Sequence, residues 1–259
     1  IRDRFSLQPS ELAKIGIILF LAAYISSKSR EMRQWKKMVI PFLFAIPIIV
    51  IVGIENLSTC IILLAISFIM IFVATPLLVP FVVIGLIGVA GAGGLLLTQG
   101  YRMERITVWL DPAASEKGHQ TIQGLYAIGS GGLFGKGLGQ SMQKLGFLPE
   151  ANNDMIFSVI CEELGLFGAL CVLALFFALI WRFMVIAVNA PDLYGSMIVV
   201  GVIAHIGIQV FINIAVATNT IPNTGIPLPF ISYGGSSLVF MLLEMGLVLS
   251  VSRYINVKK

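Results

Sequence analysis

The stretch CIILLAISFIMIFVAT, residues 60–75, contains no charged side chain and decides the fold class. An apolar run of this length suits a helix that crosses roughly 30 Å of hydrocarbon. It lacks the alternation of apolar and polar residues that a strand of a membrane barrel requires, because such a strand turns successive side chains towards lipid and lumen. The stretch therefore predicts a transmembrane helix.

Further apolar blocks of the same kind lie on both sides of it. Together the predicted spans are 12–26, 39–54, 60–75, 77–99, 155–181, 193–218 and 236–251. Hydrophobic residues make up 58% of the 259 residues and charged residues 12%, which excludes an ordinary soluble domain. The sequence predicts an all-α, polytopic transmembrane helix bundle with seven spans and one large loop at 100–154.

Positive charge predicts the orientation of this bundle. The loop SKSREMRQWKK, residues 27–37, is rich in Lys and Arg and is expected on the cytoplasmic side. Counting spans from there places the loop 100–154 outside the membrane and the C-terminal Lys258 and Lys259 inside. Because the net charge of +4 comes largely from short loops beside spans, it does not indicate nucleic-acid binding.

Two features that often carry chemistry do not do so here. The stretch GSGGLFGKGLGQS, residues 129–141, resembles a phosphate-binding loop, but Gly137 follows Lys136 where the nucleotide motif needs Ser or Thr. The three cysteines lie within or beside apolar blocks and have no disulfide or metal spacing. Neither a nucleotide site nor a metal site is predicted.

Ionisable and polar side chains near hydrocarbon are costly and therefore need an explanation. Glu11 and Lys14, three residues apart at the start of a helix, either neutralise each other or handle a substrate. His205, Gln209 and Asn213 recur every four residues on one helical stripe. This stripe either packs against other helices through hydrogen bonds or lines a substrate or ion path.

Several polar residues are predicted at the outer ends of spans. Arg102 and Arg105 carry guanidinium groups that suit phosphate oxygens or anchor the chain at the membrane interface. Asp154, in FLPEANNDMIF, is either a helix-start residue or a base beside a cationic loop that includes Lys136. The segment 221–237 is rich in Pro and Gly and is expected to form an outer loop or re-entrant turn, with a structural or a ligand-contacting backbone.

Four motifs carry a resemblance to a known family. They are FSLQPSELAK (5–14), GHQTIQGLYAIGSGGLFGKGLGQS (118–141), LGFLPEANNDMIFSVICEELGLFG (145–168) and NTGIPLPFISYGGSS (223–237). Their order and wording resemble the SEDS family of bacterial cell-wall proteins (FtsW, RodA and SpoVE), and the FtsW/SpoVE branch most closely. Family members usually have ten transmembrane helices, so 1–259 resembles a single SEDS membrane domain without its first three helices.

The resemblance implies a peptidoglycan glycosyltransferase of the bacterial cytoplasmic membrane, active on its extracytoplasmic face. The implied substrate is lipid II, the undecaprenyl-pyrophosphate-linked disaccharide-pentapeptide. The implied partners are a class B penicillin-binding protein transpeptidase, other division or elongation proteins and membrane lipid. Competing hypotheses are a lipid II flippase and a non-enzymatic scaffold of the division machinery.

Site residues follow from the same resemblance. The essential Asp of the family pattern L-P-E-x-H-T-D-F matches Asp154, which implies a general base in an inverting single displacement. The Glu and Lys of the QPSE helix match Glu11 and Lys14, and Ser236 belongs to the last motif as a substrate-binding candidate. Arg102, Arg105 and Lys136 are the candidate cations for pyrophosphate. No cofactor is expected, although a divalent cation such as Mg²⁺ could assist.

The chain departs from the family pattern at three places. Asn152 and Asn153 replace the usual His-Thr before the Asp, and Thr224 stands where many members have Lys. The segment ENLSTC, residues 55–60, replaces a more usual P-D-[LF]-G-T pattern, so Glu55 and Asn56 do not inherit the role of that Asp.

Overall fold

A computed structural model of the protein describes residues 8–75, 85, 100–115 and 118–255, without the side chains of residues 33, 35, 36 and 100–104. The described residues form α-helices and short 3-10 helices, and no strand occurs among them. The α-helices are α1 (Pro9–Ser27), α2 (Trp35–Glu55), α3 (Leu57–Ala74), α4 (Gly100–Leu110), α5 (His119–Gly131), α6 (Ile156–Val188), α7 (Leu193–Ala217) and α8 (Gly235–Arg253).

Among the described residues, 6 helices are long and apolar enough to cross a membrane, namely α1, α2, α3, α6, α7 and α8. Each coincides with one predicted span, so the prediction of an all-α, multi-pass membrane protein is confirmed. The predicted span 77–99 lies outside the described residues except for residue 85. The count of seven spans therefore stays a prediction.

Local sequence signals explain where helices begin. Helix α1 starts at Pro9, whose fixed φ suits the first helical turn. Helix α3 starts after Asn56, whose side-chain oxygen accepts a hydrogen bond from the Thr59 N–H at 3.1 Å. The departure from the family pattern at 55–60 thus contains a helix cap.

The chain forms two compact units. The first consists of 1–84, 178–208 and 234–259, and the second of 85–177 and 209–233. Within the first unit, α1 packs against α2, α3 and α8. It also approaches α7 closely, because a Cβ on Gly201 would lie 2.6 Å from the Cγ2 atom of Ile18. Apolar side chains such as Leu21 and Met70 are fully buried there.

In the second unit, α6 is broken at Gly165. This residue has φ 68° and ψ −168°, a conformation that is essentially restricted to glycine. The prediction of one uninterrupted span over 155–181 therefore needs correction. A Cβ on Gly165 would lie 2.3 Å from the Gly135 backbone nitrogen, so the Gly-rich stretch packs directly against the helix break.

The Gly-rich stretch supplies the hydrogen bonds that the helix break removes. The N–H groups of Leu166 and Phe167 donate to the carbonyl oxygens of Gly132 and Leu133 at 2.9 and 3.0 Å. In the other direction, the N–H groups of residues 136 and 137 donate to the carbonyls of residues 162 and 163, both at 2.9 Å. Buried backbone groups need such partners, so the stretch completes the helix start.

The segment 100–154, predicted as a loop, contains the helices α4 and α5. One face of α5 lies against the beginning of α6 through two glycines seven residues apart. A Cβ on Gly131 would lie 1.9 Å from the Cys161 carbonyl oxygen, and one on Gly124 would lie 3.3 Å from the Ser158 hydroxyl. Gln120 precedes Gly124 by four residues and therefore shares this face.

Candidate functional site

Asp154 lies just before α6, and only 6% of its surface is exposed. Its carboxylate oxygens accept hydrogen bonds from the Gln120 side-chain amide at 3.3 and 3.5 Å. Burial raises the pKa of the Asp154 carboxyl to about 6, and the charge of Glu150 acts in the same direction. The backbone N–H of Asp154, the Gln120 amide and the Arg105 charge lower this pKa without outweighing burial.

The backbone on which Asp154 stands is fixed at three successive carbonyl groups, those of residues 152–154. The first accepts a hydrogen bond from the Tyr233 N–H at 2.8 Å and the second from the Ser232 hydroxyl at 2.6 Å. The third accepts from the Asn213 side-chain amide at 2.8 Å, which also donates to the Ile226 carbonyl. The Pro- and Gly-rich segment and α7 therefore position the carboxylate.

The two asparagines that replace His-Thr have different surroundings. Asn152 is exposed, whereas Asn153 is half-buried and its side-chain amide donates to the Glu150 carboxylate. Glu150 has a positive φ of 53°, and its carbonyl accepts from the Asn153 N–H at 2.9 Å. Asn153 thus stabilises the tight turn that leads into Asp154.

Two amide side chains link Asp154 to α4. The Asn223 amide donates to the Gln120 side-chain oxygen at 3.1 Å, and Arg105 donates to the Asn223 backbone carbonyl at 3.2 Å. Arg105 was predicted at the site, but Gln120 and Asn223 were not. Neutral amides in a polar segment carry no charge signal that would distinguish them from ordinary loop residues.

Lys136 lies in a separate cluster of hydrogen bonds around Glu162. Its ammonium is 2.7 Å from the Glu162 carboxylate, whose side chain is fully buried. The Ser141 hydroxyl also donates to this carboxylate, at 2.5 Å, as do the N–H groups of residues 142 and 143. The adjacent Glu163 accepts from the Lys144 ammonium and from the Gly139 N–H. These carboxylates hold the Gly-rich stretch in place.

The other predicted site residues are in different positions. The Arg102 backbone belongs to α4, but its side chain lies outside the described residues. Glu11 and Lys14 form a buried ion pair of 2.8 Å in α1, within the first compact unit. Ser236 is half-buried in the first turn of α8, in that same unit. A role of these residues in substrate binding stays a prediction.

The polar stripe of α7 is hydrogen-bonded within the protein. His205 lies 2.9 Å from the Glu244 carboxylate, and both side chains are buried. Gln209 donates to the Pro227 carbonyl at 3.0 Å, and Asn213 binds the Asp154 backbone as described. These contacts favour the packing interpretation of the stripe. Within the described residues, no group of three or more His, Cys, Asp or Glu side chains could hold a metal ion.

Comparison with known proteins places this site in a family. The family model described as cell cycle protein, FtsW/RodA/SpoVE, matches residues 2–257. Stage V sporulation protein E from Bacillus subtilis (strain 168) is 48% identical over 256 residues, which cover 96% of this chain and 69% of that protein. A probable peptidoglycan glycosyltransferase FtsW from Geobacter sp. (strain M18) is 36% identical over 252 residues, with 96% and 69% coverage.

Solved structures agree with the sequence comparison. A chain of a peptidoglycan synthase complex superposes with a TM-score of 0.77 at 28% identity, covering 97% of this chain and 71% of that one. The rod shape determining protein RodA of Thermus thermophilus gives a TM-score of 0.65 at 29% identity, with coverages of 96% and 66%. The resemblance found in the motifs is confirmed, and the chain belongs to the FtsW/RodA/SpoVE family of cell cycle proteins.

Proposed function

We propose that this membrane protein is a peptidoglycan glycosyltransferase that polymerises lipid II on the extracytoplasmic face of the bacterial cytoplasmic membrane. Relatives are named as probable peptidoglycan glycosyltransferases, and a matched structure is part of a peptidoglycan synthase complex. The observation that carries the proposal is the buried Asp154 carboxylate, which an amide donor holds and whose pKa burial raises to about 6.

The proposed reaction is a single displacement with Asp154 as general base. A sugar hydroxyl of the acceptor attacks the anomeric carbon of the lipid-linked donor. The bond from that carbon to the pyrophosphate oxygen breaks, and the pyrophosphate leaves with the bonding electrons. Asp154 takes the hydroxyl proton, so a new glycosidic bond forms with inversion and without a covalent intermediate.

The raised pKa suits this role. A carboxyl with a pKa of about 6 is ionised at neutral pH and accepts a proton more readily than an ordinary aspartate does. A general base is most effective when its pKa lies near the working pH, because it must be both ionised and sufficiently basic. The buried position of Asp154 therefore supports general base catalysis more than a helix cap role.

Negative charge develops on the departing pyrophosphate and requires cations nearby. Arg105, which interacts electrostatically with Asp154, is the first candidate, with Arg102 on the same helix. Lys136 is a weaker candidate because its ammonium is already bonded to Glu162. Glu11, Lys14 and Ser236 remain substrate-binding candidates through their match to the family motifs.

A class B penicillin-binding protein that cross-links the new strands is the proposed partner. The support comes from the matched synthase complex, which was studied for the coordination of polymerization and crosslinking. The hydrogen bonds of Gln209 and Asn213 to backbone carbonyls argue against the flippase hypothesis, because those amide donors are committed to holding the fold.

The decisive experiment is polymerisation of purified lipid II by the protein together with its transpeptidase partner. We expect Asp154→Asn to abolish strand synthesis, because the amide cannot take the hydroxyl proton. The matched control is Glu150→Gln, which neutralises an exposed carboxylate four residues away. Because the Glu150 charge raises the pKa of Asp154, this variant should lower that pKa and leave strand synthesis at neutral pH largely intact. Normal glycan strands from a folded Asp154→Asn protein would refute the proposed function.

A further inference from the structure

The geometry points to a positioning device for the base: Gln120, held by Asn223, orients the Asp154 carboxylate and favours its ionised form. We propose this role as a refinement of the function above, and it rests on Asp154 acting as general base. The contacts that support it join the Pro- and Gly-rich segment, α5 and the turn before α6, all within the second compact unit.

A backbone N–H group determines which end of each side-chain amide donates and which end accepts. The Gly225 N–H can only donate, and it donates to the Asn223 side-chain oxygen at 2.9 Å. The Asn223 nitrogen is therefore the group that faces Gln120, and it donates to the Gln120 oxygen. Consequently the Gln120 nitrogen faces Asp154, so a donor rather than an acceptor is presented to the carboxylate.

The fold holds each residue of the hydrogen-bonded series Asn223–Gln120–Asp154 in place. Gln120 lies on the face of α5 that contacts the start of α6, four residues before Gly124, which has no side chain to hold the helices apart. Arg105 donates to the Asn223 carbonyl and so fixes the turn that carries Asn223. The backbone of 152–154 is also anchored, so only the rotation of the Asp154 side chain remains to be restrained. Gln120 restrains that rotation.

The two carboxylate oxygens have different surroundings. Oδ1 is the nearer to the Gln120 amide, at 3.3 Å. Oδ2 faces Gly225, where even an added Cβ would come no closer than 3.9 Å. Gly225 has a positive φ of 68° and is exposed, so this side of the carboxylate is not covered by a side chain at that position. The Gln120 amide also lies 3.5 Å from Oδ2 and so restrains both oxygens, and within the proposal the acceptor hydroxyl approaches the carboxylate from the Gly225 side.

A donor at this position has a predictable effect on the base. A hydrogen bond to the ionised carboxylate favours that form, and its loss favours the protonated acid. Among the described side chains, the other charged groups that act on Asp154 are Glu150, which raises its pKa, and Arg105, which lowers it. Removing the Gln120 amide should therefore move the pKa of the base upward.

The experiment is the pH profile of kcat/KM for lipid II polymerisation by Gln120→Leu, which keeps the size of the side chain and removes both amide groups. We expect the acid limb to move up by about one pH unit, which lowers activity about tenfold on the acid side. At alkaline pH we expect a smaller loss, because the carboxylate is ionised there but is no longer restrained by the amide. The matched control is Gln123→Leu on the same helix, which should keep the wild-type profile because Gln123 takes no part in this series among the described residues.

Asn223→Ala tests the direction of the series independently. Without the Asn223 donor, the Gln120 amide is free to turn its oxygen towards Asp154. We expect a smaller shift of the acid limb in the same direction, and no further shift when Asn223→Ala is added to Gln120→Leu. If the shifts of the two single variants add up in the double variant, Asn223 and Gln120 act on Asp154 separately. That result would contradict the proposed series.

The outcomes separate this inference from the proposed function. If Asp154→Asn is inactive but folded Gln120→Leu keeps the wild-type acid limb, the positioning role is wrong and the general base stands. A uniform loss of activity at all pH values would also overturn it, since that result indicates a purely structural role. If Gln120→Leu does not fold, the Asn223→Ala profile decides, and an unchanged acid limb there overturns the inference.

Discussion

At the scale of single residues, the Asp154 carboxylate is held mainly by neutral groups. A buried carboxylate ordinarily forms an ion pair or accepts several N–H bonds, because desolvation opposes its charge. Here the side-chain donor seen in the described part of the chain is the Gln120 amide, and Arg105 acts on the carboxylate through its charge. The site therefore leaves the carboxylate basic, which is what proton abstraction requires.

This environment predicts that Asp154→Asn stabilises the folded protein at neutral pH. Since the pKa is raised from 3.8 to about 6 in the folded state, folding is unaffected by this group below pH 3.8 and becomes less favourable as the pH rises to about 6. Above that pH the penalty is constant, at about 3 kcal/mol. The amide carries no charge and escapes this penalty.

Thermal unfolding of wild type and Asp154→Asn in detergent, compared between about pH 4.5 and pH 8, measures this effect. We expect the melting temperature of the variant to exceed that of wild type by a margin that grows up to about pH 6 and then stays constant. A margin that does not change with pH would mean that burial does not oppose the charge of Asp154.

Sequence patterns predict part of this site. Asp154 and Arg105 stand out because ionisable residues beside apolar blocks demand an explanation. Gln120 and Asn223 do not stand out, since their importance depends on a contact between residues 103 positions apart. The role of Lys136 towards a substrate anion stays a prediction, and its ion pair with Glu162 was not predicted, because that acid lies inside a predicted span.

At the scale of elements, Glu162 and Glu163 are the sequence feature that indicates the interruption of α6. Two adjacent acids within an apolar block of otherwise uncharged residues are unfavourable in a lipid-facing helix. The structure resolves this conflict by breaking α6 at Gly165 and surrounding both carboxylates with donors from the Gly-rich stretch. The presence of Gly165 in the sequence does not by itself predict a helix break, because glycine is frequent in transmembrane helices.

The Lys136–Glu162 ion pair allows a test of what Lys136 does. We expect Lys136→Met to destabilise the protein by about 1–2 kcal/mol, because it removes a partly exposed cation from the buried Glu162 carboxylate, which keeps its other donors. Adding Glu162→Gln should restore most of the stability and the polymerising activity. Unfolding in denaturant and lipid II polymerisation are the two measurements.

Lys144→Met is the matched control for this pair. It removes the cation of Glu163, whose side chain is 12% exposed, and should therefore cost less stability than Lys136→Met. If the double variant regains stability but not activity, Lys136 contacts the substrate, and its role extends beyond Glu162.

Helix positions were predicted more successfully than helix interruptions. The six described membrane helices coincide with predicted spans because long apolar runs end at polar or charged residues, as α2 ends at Glu55. The helices α4 and α5 were missed because they are short and lie in a polar, Gly-rich segment. Their stability comes from packing against other elements, which a single sequence does not display.

At the scale of the whole molecule, the proposed orientation places the loop between α1 and α2 in the cytoplasm and the segment 100–154 outside. It predicts which engineered thiols a membrane-impermeant maleimide reaches in intact cells. Gln140→Cys, at an exposed position, should be labelled directly. Ser29→Cys, also exposed, should be labelled only after the cells are permeabilised.

The wild-type protein provides the background in this experiment. Of its three cysteines, Cys60 and Cys161 are buried, and Cys171 is exposed but lies within the membrane helix α6. The reverse labelling pattern would contradict the proposed orientation and would indicate that Asp154 lies on the cytoplasmic side.

The helix break at Gly165 has a consequence for biosynthesis. The carbonyls of Gly132 and Leu133, which complete the start of the span at Leu166, precede that span in the chain. These two hydrogen-bond acceptors are therefore synthesised before the helix whose N–H groups they accept from. The first turn of the span therefore depends for these hydrogen bonds on no segment that is translated after it.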